Sequence, residues 1–125
     1  MYFVIDDRLP SLNDYIKECR TNKYSGAKFK QEIENLISLY INNAKVKKTI
    51  QATNKPVIVH FEWHERTKRR DADNIASAKK FILDALQSSG IIPNDNRKYV
   101  TGFTDHIVDD TKDYVVVTIE EVKGV

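Results

Sequence analysis

A chain of 125 residues with 41% hydrophobic and 30% charged side chains has the composition of a soluble globular protein, and its length suits one domain, residues 1–125. The formal net charge of +2 is too small to indicate a nucleic-acid ligand, so that argument depends on where the charges lie. A single cysteine, Cys19, excludes an internal disulfide and a cysteine-rich zinc site. With no long apolar stretch and no basic N-terminal signal, we expect a cytoplasmic protein with no membrane partner.

The first half of the chain predicts one strand and two helices. Residues 2–5 are aromatic and β-branched, which is typical of a short strand. Ser11 is a suitable N-cap for a helix that begins near Leu12. From about residue 27 to residue 46 the apolar side chains recur at helical spacing, which predicts a long amphipathic helix.

The second half predicts a strand, a helix and a final pair of strands. Residues 56–64 alternate between an apolar face and a polar face that carries His60, Glu62 and His64. No further ligand completes a zinc site there, so we interpret these three as polar sheet residues. A helix is predicted from about residue 73 to 89, ended by Gly90. Strands at residues 99–107 and 114–121 are expected to form an antiparallel pair.

The order of these elements is β-α-α-β-α-β-β. A doubly wound parallel sheet would have strands and helices in regular alternation, and this order does not. The sequence therefore predicts an α+β domain with a small mixed β-sheet and flanking helices.

Two aspartates separated by one residue, Asp71 and Asp73, stand between a basic segment and the predicted helix. Carboxylates that alternate in extended chain can converge on one hard cation such as Mg²⁺, which prefers oxygen ligands. The simpler interpretation is that Asp73 caps the helix. That interpretation explains neither Asp71 nor the basic residues at 66–70.

The polar face of the predicted helix also carries a lysine. At about 100° per residue, the apolar stripe and the polar face lie on opposite sides. Lys80 falls on the face of Asp73, where it can hold a phosphate or stabilise charge on a leaving oxygen. It can equally form an ion pair with Asp84, four residues on. The apolar stripe consists of Ile75, Ala78, Ile82 and Leu86.

These spacings resemble the signature of the RusA family of Holliday-junction resolvases. The resemblance rests on Asp71-Ala-Asp73-Asn74, then Lys80, Asp84-Ala-Leu86, Gly90 and Asp95, and on residues 9–13, Leu-Pro-Ser-Leu-Asn, which are similar to the family's N-terminal segment. It implies a RusA-like fold and a homodimer that binds four-way DNA junctions in recombination and repair. It also implies paired phosphodiester hydrolysis with Mg²⁺, for which Mn²⁺ can substitute, and no organic cofactor.

Carried over position by position, the resemblance makes Asp71, Asp73 and Asp95 the catalytic, metal-binding carboxylates and Lys80 the functional lysine. Two departures bear on this assignment. Asn94 stands where the family often has a second acid, and the segment before Asp84 is about one turn longer than in some members, which leaves Lys79 as an alternative.

The position of Asp95 poses a geometric problem. A straight helix over residues 73–89 is roughly 24 Å long, and the six residues from 90 to 95 reach back at most about 20 Å. We therefore expect that the helix is shorter or bent, or that Asp95 completes the site of the partner subunit.

The basic residues next to the aspartates are expected to contact DNA phosphates. Such contacts give salt-dependent affinity without sequence recognition. The predicted DNA-binding residues are Arg66, Lys68, Arg69 and Arg70, with Lys23, Lys28 and Lys30 as weaker candidates. Two alternatives stay open: a non-catalytic module that binds DNA junctions, and a metal-dependent nuclease for other branched DNA or RNA.

Overall fold

The computed structural model describes residues 1–123, so that Gly124 and Val125 lie outside the described part of the predicted domain. The described residues form four strands and four helices. In chain order they are β1 (Tyr2–Ile5), α1 (Leu12–Thr21), α2 (Lys23–Val46), β2 (Val57–Glu65), α3 (Ala72–Ala76), α4 (Lys79–Ser88), β3 (Val100–Asp109) and β4 (Tyr114–Glu121). None of these helices is both long and apolar enough to span a membrane.

The four strands form one mixed sheet in the order β1-β4-β2-β3, which confirms the predicted α+β class. β4 is antiparallel to both β1 and β2, whereas β3 is parallel to β2. The prediction that the last two strands pair with each other is wrong. Because two helices connect β2 to β3, the chain crosses over and β3 returns in the direction of β2. β4 then enters on the other side of β2.

The helices pack against the face of the sheet that carries the apolar side chains of β2. Along β2, Val57, Val59, Phe61 and Trp63 are each at most 2% exposed. The predicted alternation is therefore confirmed on its apolar face. β4 adds Val115, Val117 and Ile119 to the same core.

Helix α1 begins where the sequence predicts. The Ser11 hydroxyl accepts from the Asp14 N–H, and the Asp14 carboxylate accepts from the Ser11 N–H, which is a capping box. Helix α2 begins at Lys23, earlier than predicted, because Asn22 caps it by accepting from the Ser25 N–H at 2.8 Å.

The single helix predicted over residues 73–89 is two helices, α3 and α4. Ser77 stands at the break: its hydroxyl donates to the Asn74 carbonyl at 2.6 Å and accepts from the Leu12 N–H at 3.1 Å. Serine side chains compete in this way with the helical hydrogen bonds of the backbone. The predicted apolar stripe nevertheless is buried along its whole length. Gly90 ends α4 with φ of 75°.

Candidate active site

Asp71 and Asp73 line one surface groove between α1 and α3. The other residues of the groove come from the N-terminal turns of α1 and from α3 with the residue that follows it: Leu12, Asn13, Ile16, Asn74 and Ser77. Both aspartates are exposed. Asp71 is the extended residue before α3, and Asp73 lies in the first turn of that helix. Because only one residue separates them, the local backbone is enough to bring them to the same groove.

Neither aspartate is explained by helix capping. Helix α3 begins at Ala72, so Asp71 occupies the N-cap position, yet its side chain makes no capping hydrogen bond. Asp73 lies in the first turn, where one carboxylate oxygen accepts from the N–H of Asn74 at 2.9 Å. The interpretation of Asp73 as the N-cap is therefore wrong. Within residues 1–123, neither carboxylate forms an ion pair.

The first turn of α1 is bound to α3 and to Ser77, and it lines the groove. The Asn13 side-chain amide donates to the Asn74 side-chain oxygen at 3.1 Å, and Leu12 is bound to Ser77 through its N–H. Asn13 was not among the predicted site residues, although it belongs to the N-terminal segment on which the family resemblance partly rests. Its side chain also carries an acceptor oxygen, and the residue lines the same groove as the two aspartates.

The basic segment divides into one structural arginine and three exposed cations. Arg70 donates to both carboxylate oxygens of Glu65 at 2.9 Å and to the Leu9 carbonyl at 3.0 Å. The Arg70 and Glu65 side chains are only 12% and 7% exposed, so this guanidinium is occupied inside the fold. Arg66, Lys68 and Arg69 are exposed. The four predicted DNA contacts are therefore not equivalent in the structure.

Lys80 lies between two carboxylates. Its ammonium is 2.9 Å from Asp95 and 3.0 Å from Asp84, and the other Asp84 oxygen lies 3.7 Å from the ammonium of Lys30. The hydrogen bonds to Asp95 and Asp84 raise the pKa of Lys80. The predicted ion pair with Asp84 is confirmed.

Lys79 has a different environment from Lys80. Its ammonium contacts Asp105, which also accepts from the indole N–H of Trp63 at 2.9 Å. The same ammonium lies 5.1 Å from the ring centre of Phe103. Lys80 is thus the lysine beside Asp95, and Lys79 belongs to the contact between α4 and β3.

The loop after Gly90 runs back along α4 and brings Asp95 to the first turn of that helix, beside Lys80 of the same chain. The helix predicted over residues 73–89 is divided into α3 and α4, which agrees with the expectation of a shorter or bent helix. Even so, the described residues contain no group of three or more His, Cys, Asp or Glu side chains placed to hold a metal ion. Asp95 is therefore not gathered with Asp71 and Asp73 into one ligand set.

The polar residues of β2 are occupied by neighbours on the sheet. His64 is buried, with its two ring nitrogens 2.7 Å from Glu62 and 2.8 Å from Asp110. His60 contacts Thr104 and Glu120 through its two nitrogens. These contacts agree with the interpretation of the three residues as polar sheet residues.

A family model described as Endodeoxyribonuclease RusA matches residues 2–120. The match starts at the first residue of β1 and ends one residue before the end of β4, so it extends far beyond the acidic segment. A search of curated proteins found no match to this chain.

Proposed function

Because the chain belongs to the RusA family of endodeoxyribonucleases, which act on four-way DNA junctions, we propose that it resolves such junctions with a divalent cation held at the Asp71–Asp73 groove. One observation carries this assignment. Both aspartates line a single groove, and within residues 1–123 neither side chain caps a helix or forms an ion pair. Neither aspartate therefore has the helix-capping or ion-pairing role by which such a residue stabilises a fold.

The donors of the groove fit Mg²⁺. This ion is usually bound by one or two carboxylates, and waters and substrate phosphate oxygens complete its octahedral shell. Asp71 and Asp73 would supply the carboxylates, and the Asn13 side-chain oxygen is a further hard donor beside them. Mn²⁺ prefers similar oxygen ligands and is expected to substitute.

We further propose that Asp95 of the same chain is the third ligand. The loop already returns it to the first turn of α4, which follows α3 directly, and its present partner Lys80 is half exposed. Exchange of a surface ion pair for a divalent cation costs little, because such pairs contribute only about 0–1 kcal/mol.

Asp71 and Asp73 would hold and orient the cation, which would supply polarisation of the scissile phosphate and a lower pKa for the attacking water. Asn13 fixes the groove wall through Asn74. Lys80 stays paired with Asp84 when Asp95 turns to the cation, and the Asp84 carboxylate still raises the pKa of Lys80. A protonated lysine next to the reacting phosphate stabilises negative charge on its oxygens as the bond to the leaving oxygen breaks.

DNA phosphates are assigned to Arg66, Lys68 and Arg69. These exposed cations lie in the loop that leads directly into Asp71. Arg70 holds that loop to the fold through Glu65 and the Leu9 carbonyl, which keeps the basic residues next to the groove. Arg70 therefore positions the DNA-binding residues, and we do not propose that it contacts a DNA phosphate.

The working unit is proposed to be a homodimer. Paired cuts need two sites, and one chain has a single Asp71–Asp73 groove. Strand β3 is the long edge of the sheet, and its Phe103 and Ile107 are 46% and 38% exposed. An edge-to-edge pairing of two β3 strands would cover these two exposed apolar side chains. Phe103→Lys should therefore convert the dimer to a monomer in analytical ultracentrifugation.

Mixed dimers test which subunit supplies Asp95. Asp73→Asn and Asp95→Asn chains are mixed, and nicking of a labelled junction is measured. If Asp95 acts within its own chain, neither site of the mixed dimer is intact and nicking does not recover. Recovery of single-strand nicking would show that Asp95 crosses the interface, since one site would then have all its ligands.

A substrate panel tests the assignment against its two rivals. Wild-type protein is incubated with Mg²⁺ and a labelled four-way junction, a linear duplex of the same sequence, a flapped duplex and a structured RNA. Symmetric cutting of the junction alone is the expected result. Cutting of the flap or RNA instead would make the chain a different branched-substrate nuclease, and tight binding without cutting would make it a binding module.

A further inference from the structure

The corner between α1 and α2 has a highly exposed aromatic side chain, Tyr24, at 88%. Arg20 in the last turn of α1 and Lys23 at the start of α2 are close to it in the chain, and both are exposed. The corner has a fixed geometry, because Asn22 caps α2 and accepts from the Ser25 N–H at 2.8 Å. It therefore holds an aromatic ring in solvent, with two exposed cations close to it in the chain.

A close approach of the two helices fixes the direction of this corner. A Cβ atom at Gly26 would lie 2.6 Å from the sulfur of Cys19, which is too short for any side chain. Glycine at this position lets α2 pack directly on the last turns of α1. The position of Tyr24 relative to α1 is therefore set by backbone packing.

One face of α1 connects the candidate active site to the corner. At about 100° per residue, Asn13, Ile16, Lys17 and Arg20 fall within about 100° of the helix circumference. Asn13 and Ile16 line the aspartate groove, and Lys17 and Arg20 continue the same exposed face away from it. The ten residues of α1 span about 15 Å.

The charge on this face has no counterpart inside the fold. Within residues 1–123, Lys17, Arg20 and Lys23 form no ion pair. The acids of α1, Asp14 and Glu18, fall outside the basic stripe, and Asp14 is used in the capping box. Lys28 and Lys30, further along α2, pair with acids and do not belong to this set. A row of uncompensated cations suits a polyanion.

The exposed ring adds a preference that cations alone do not give. Aromatic side chains stack on bases whose faces are free, and in continuous duplex those faces are covered by the neighbouring base pairs. A branch point interrupts this stacking. Tyr24 is therefore suited to a base at the branch, and the cations beside it are suited to the phosphates of the departing arm.

We propose that Lys17, Arg20, Lys23 and Tyr24 form a DNA-binding track, on which the three cations hold phosphates and the Tyr24 ring stacks on a base at the branch point. The proposal rests on the proposed function only in taking branched DNA as the substrate. It assigns to one residue a part of the preference for junctions over duplex.

Binding in EDTA tests the track without any cutting. The full chain is titrated with a four-way junction that carries 2-aminopurine next to the branch point, and with a linear duplex of the same sequence. Tyr24→Ala should weaken junction binding about tenfold and duplex binding by less than about twofold, and should remove the stacking-induced quenching of 2-aminopurine. Tyr24→Phe keeps the ring and should behave as wild type.

Leu39→Ala is the matched control, because Leu39 is a 68% exposed apolar residue on the same helix α2. It should change neither affinity nor fluorescence. Equal junction affinity of Tyr24→Ala and wild type would overturn the proposal, as would equal losses on junction and duplex or a wild-type protein that does not bind the junction. Tyr24-dependent binding by a protein that never cuts would overturn the catalytic assignment and leave the track supported.

Discussion

Glu65 and the nearby pair Asp71 and Asp73 have opposite environments in this fold. Glu65 is buried and bound by Nε and Nη2 of the Arg70 guanidinium, whereas Asp71 and Asp73, a few residues further along, are exposed and have no cation within the described chain. The arginine nearest the groove is thus directed away from it. An acidic pair that the fold leaves without a counter-ion has a favourable electrostatic interaction available to a cation from solution.

Asp95 is intermediate between these two extremes. It has a cation, Lys80, but the pair is solvent-exposed and shared with Asp84. Buried pairs are costly to break, and exposed pairs exchange partners readily. This difference agrees with a structural role for Glu65 and with the proposed metal-binding roles of Asp71, Asp73 and Asp95.

The largest effect is expected where the buried pair is broken. Arg70→Ala should lower the free energy of unfolding by about 3–5 kcal/mol, because Glu65 would remain buried and unpaired. Urea unfolding followed by circular dichroism measures it. Arg69→Ala is the control and should change stability by less than about 0.5 kcal/mol. Similar losses for both variants would contradict the division of the basic segment.

Substitution of the groove carboxylates should impair cutting and leave stability nearly unchanged. Asp71→Asn and Asp73→Asn should each slow junction cutting by more than about 100-fold. Loss of a residue that only supports a metal ligand costs about 10–100-fold, and loss of the ligand itself should cost more. Stability should change by less than about 0.5 kcal/mol, since neither side chain caps a helix. Stopped-flow or gel-based cutting rates and urea unfolding of the same samples measure both. A loss of stability with normal cutting would return the pair to a structural role.

Replacement of the lysine beside Asp95 separates the two adjacent candidates. Lys80→Met should slow cutting by about tenfold, less than the loss of a buried oxyanion donor because Lys80 is half exposed. Lys79→Met should leave the cutting rate within about twofold, since Lys79 pairs with Asp105 on β3. Single-turnover rates at saturating enzyme make the comparison. The opposite ranking would assign the role to Lys79.

The exposed cations of the basic segment should act through phosphate contacts alone. Arg69→Ala should reduce the slope of log affinity against log salt by about 1, as expected for one phosphate contact. Lys47→Ala, at the end of α2 remote in sequence from the basic segment, is the control. Fluorescence anisotropy at several salt concentrations gives both slopes. An unchanged slope for Arg69→Ala would remove it from the DNA surface.

The smallest expected effect concerns a carboxylate held by a neutral donor. The Tyr40 hydroxyl donates to Asp7 at 2.6 Å, and this hydrogen bond, with burial, raises the pKa of Tyr40 to about 12. The stabilisation is complete below pH 10 and is lost as pH rises from 10 towards 12, because the unfolded tyrosine ionises first. Tyr40→Phe should cost about 1 kcal/mol at pH 8 and less above pH 11. A pH-independent cost would show that the hydrogen bond is not its source.

Local patterns predicted most elements, and long-range pairing was where prediction failed. The Ser11 cap, the two-fold alternation of β2 and the buried stripe from Ile75 to Leu86 each depend on a few neighbouring residues. The position of β4 between β1 and β2 depends on the whole sheet, and a short connection after Asp109 gives no sign of it. Ser77 likewise breaks a helix because of Leu12, which is remote in sequence.

The same distinction applies to the site. Asp71 and Asp73 could be placed together because one residue separates them. The partners of Arg70 could not, since Glu65 has the spacing of an ordinary strand residue and shows its role only through burial. Asn13 joins the groove through a contact across 61 positions of the chain. Such contacts follow from the packing of α1 on α3.

The most direct test of the metal assignment is a Mg²⁺ titration of junction cutting by wild type, Asp73→Asn and Asp6→Asn. Asp6 is an exposed aspartate paired with Lys112 and serves as the matched control. We expect no cutting in EDTA and cutting that saturates with Mg²⁺ for wild type and Asp6→Asn. Asp73→Asn should not cut, or should cut only at much higher Mg²⁺. Cutting in EDTA, or the same Mg²⁺ dependence for all three proteins, would contradict the metal assignment.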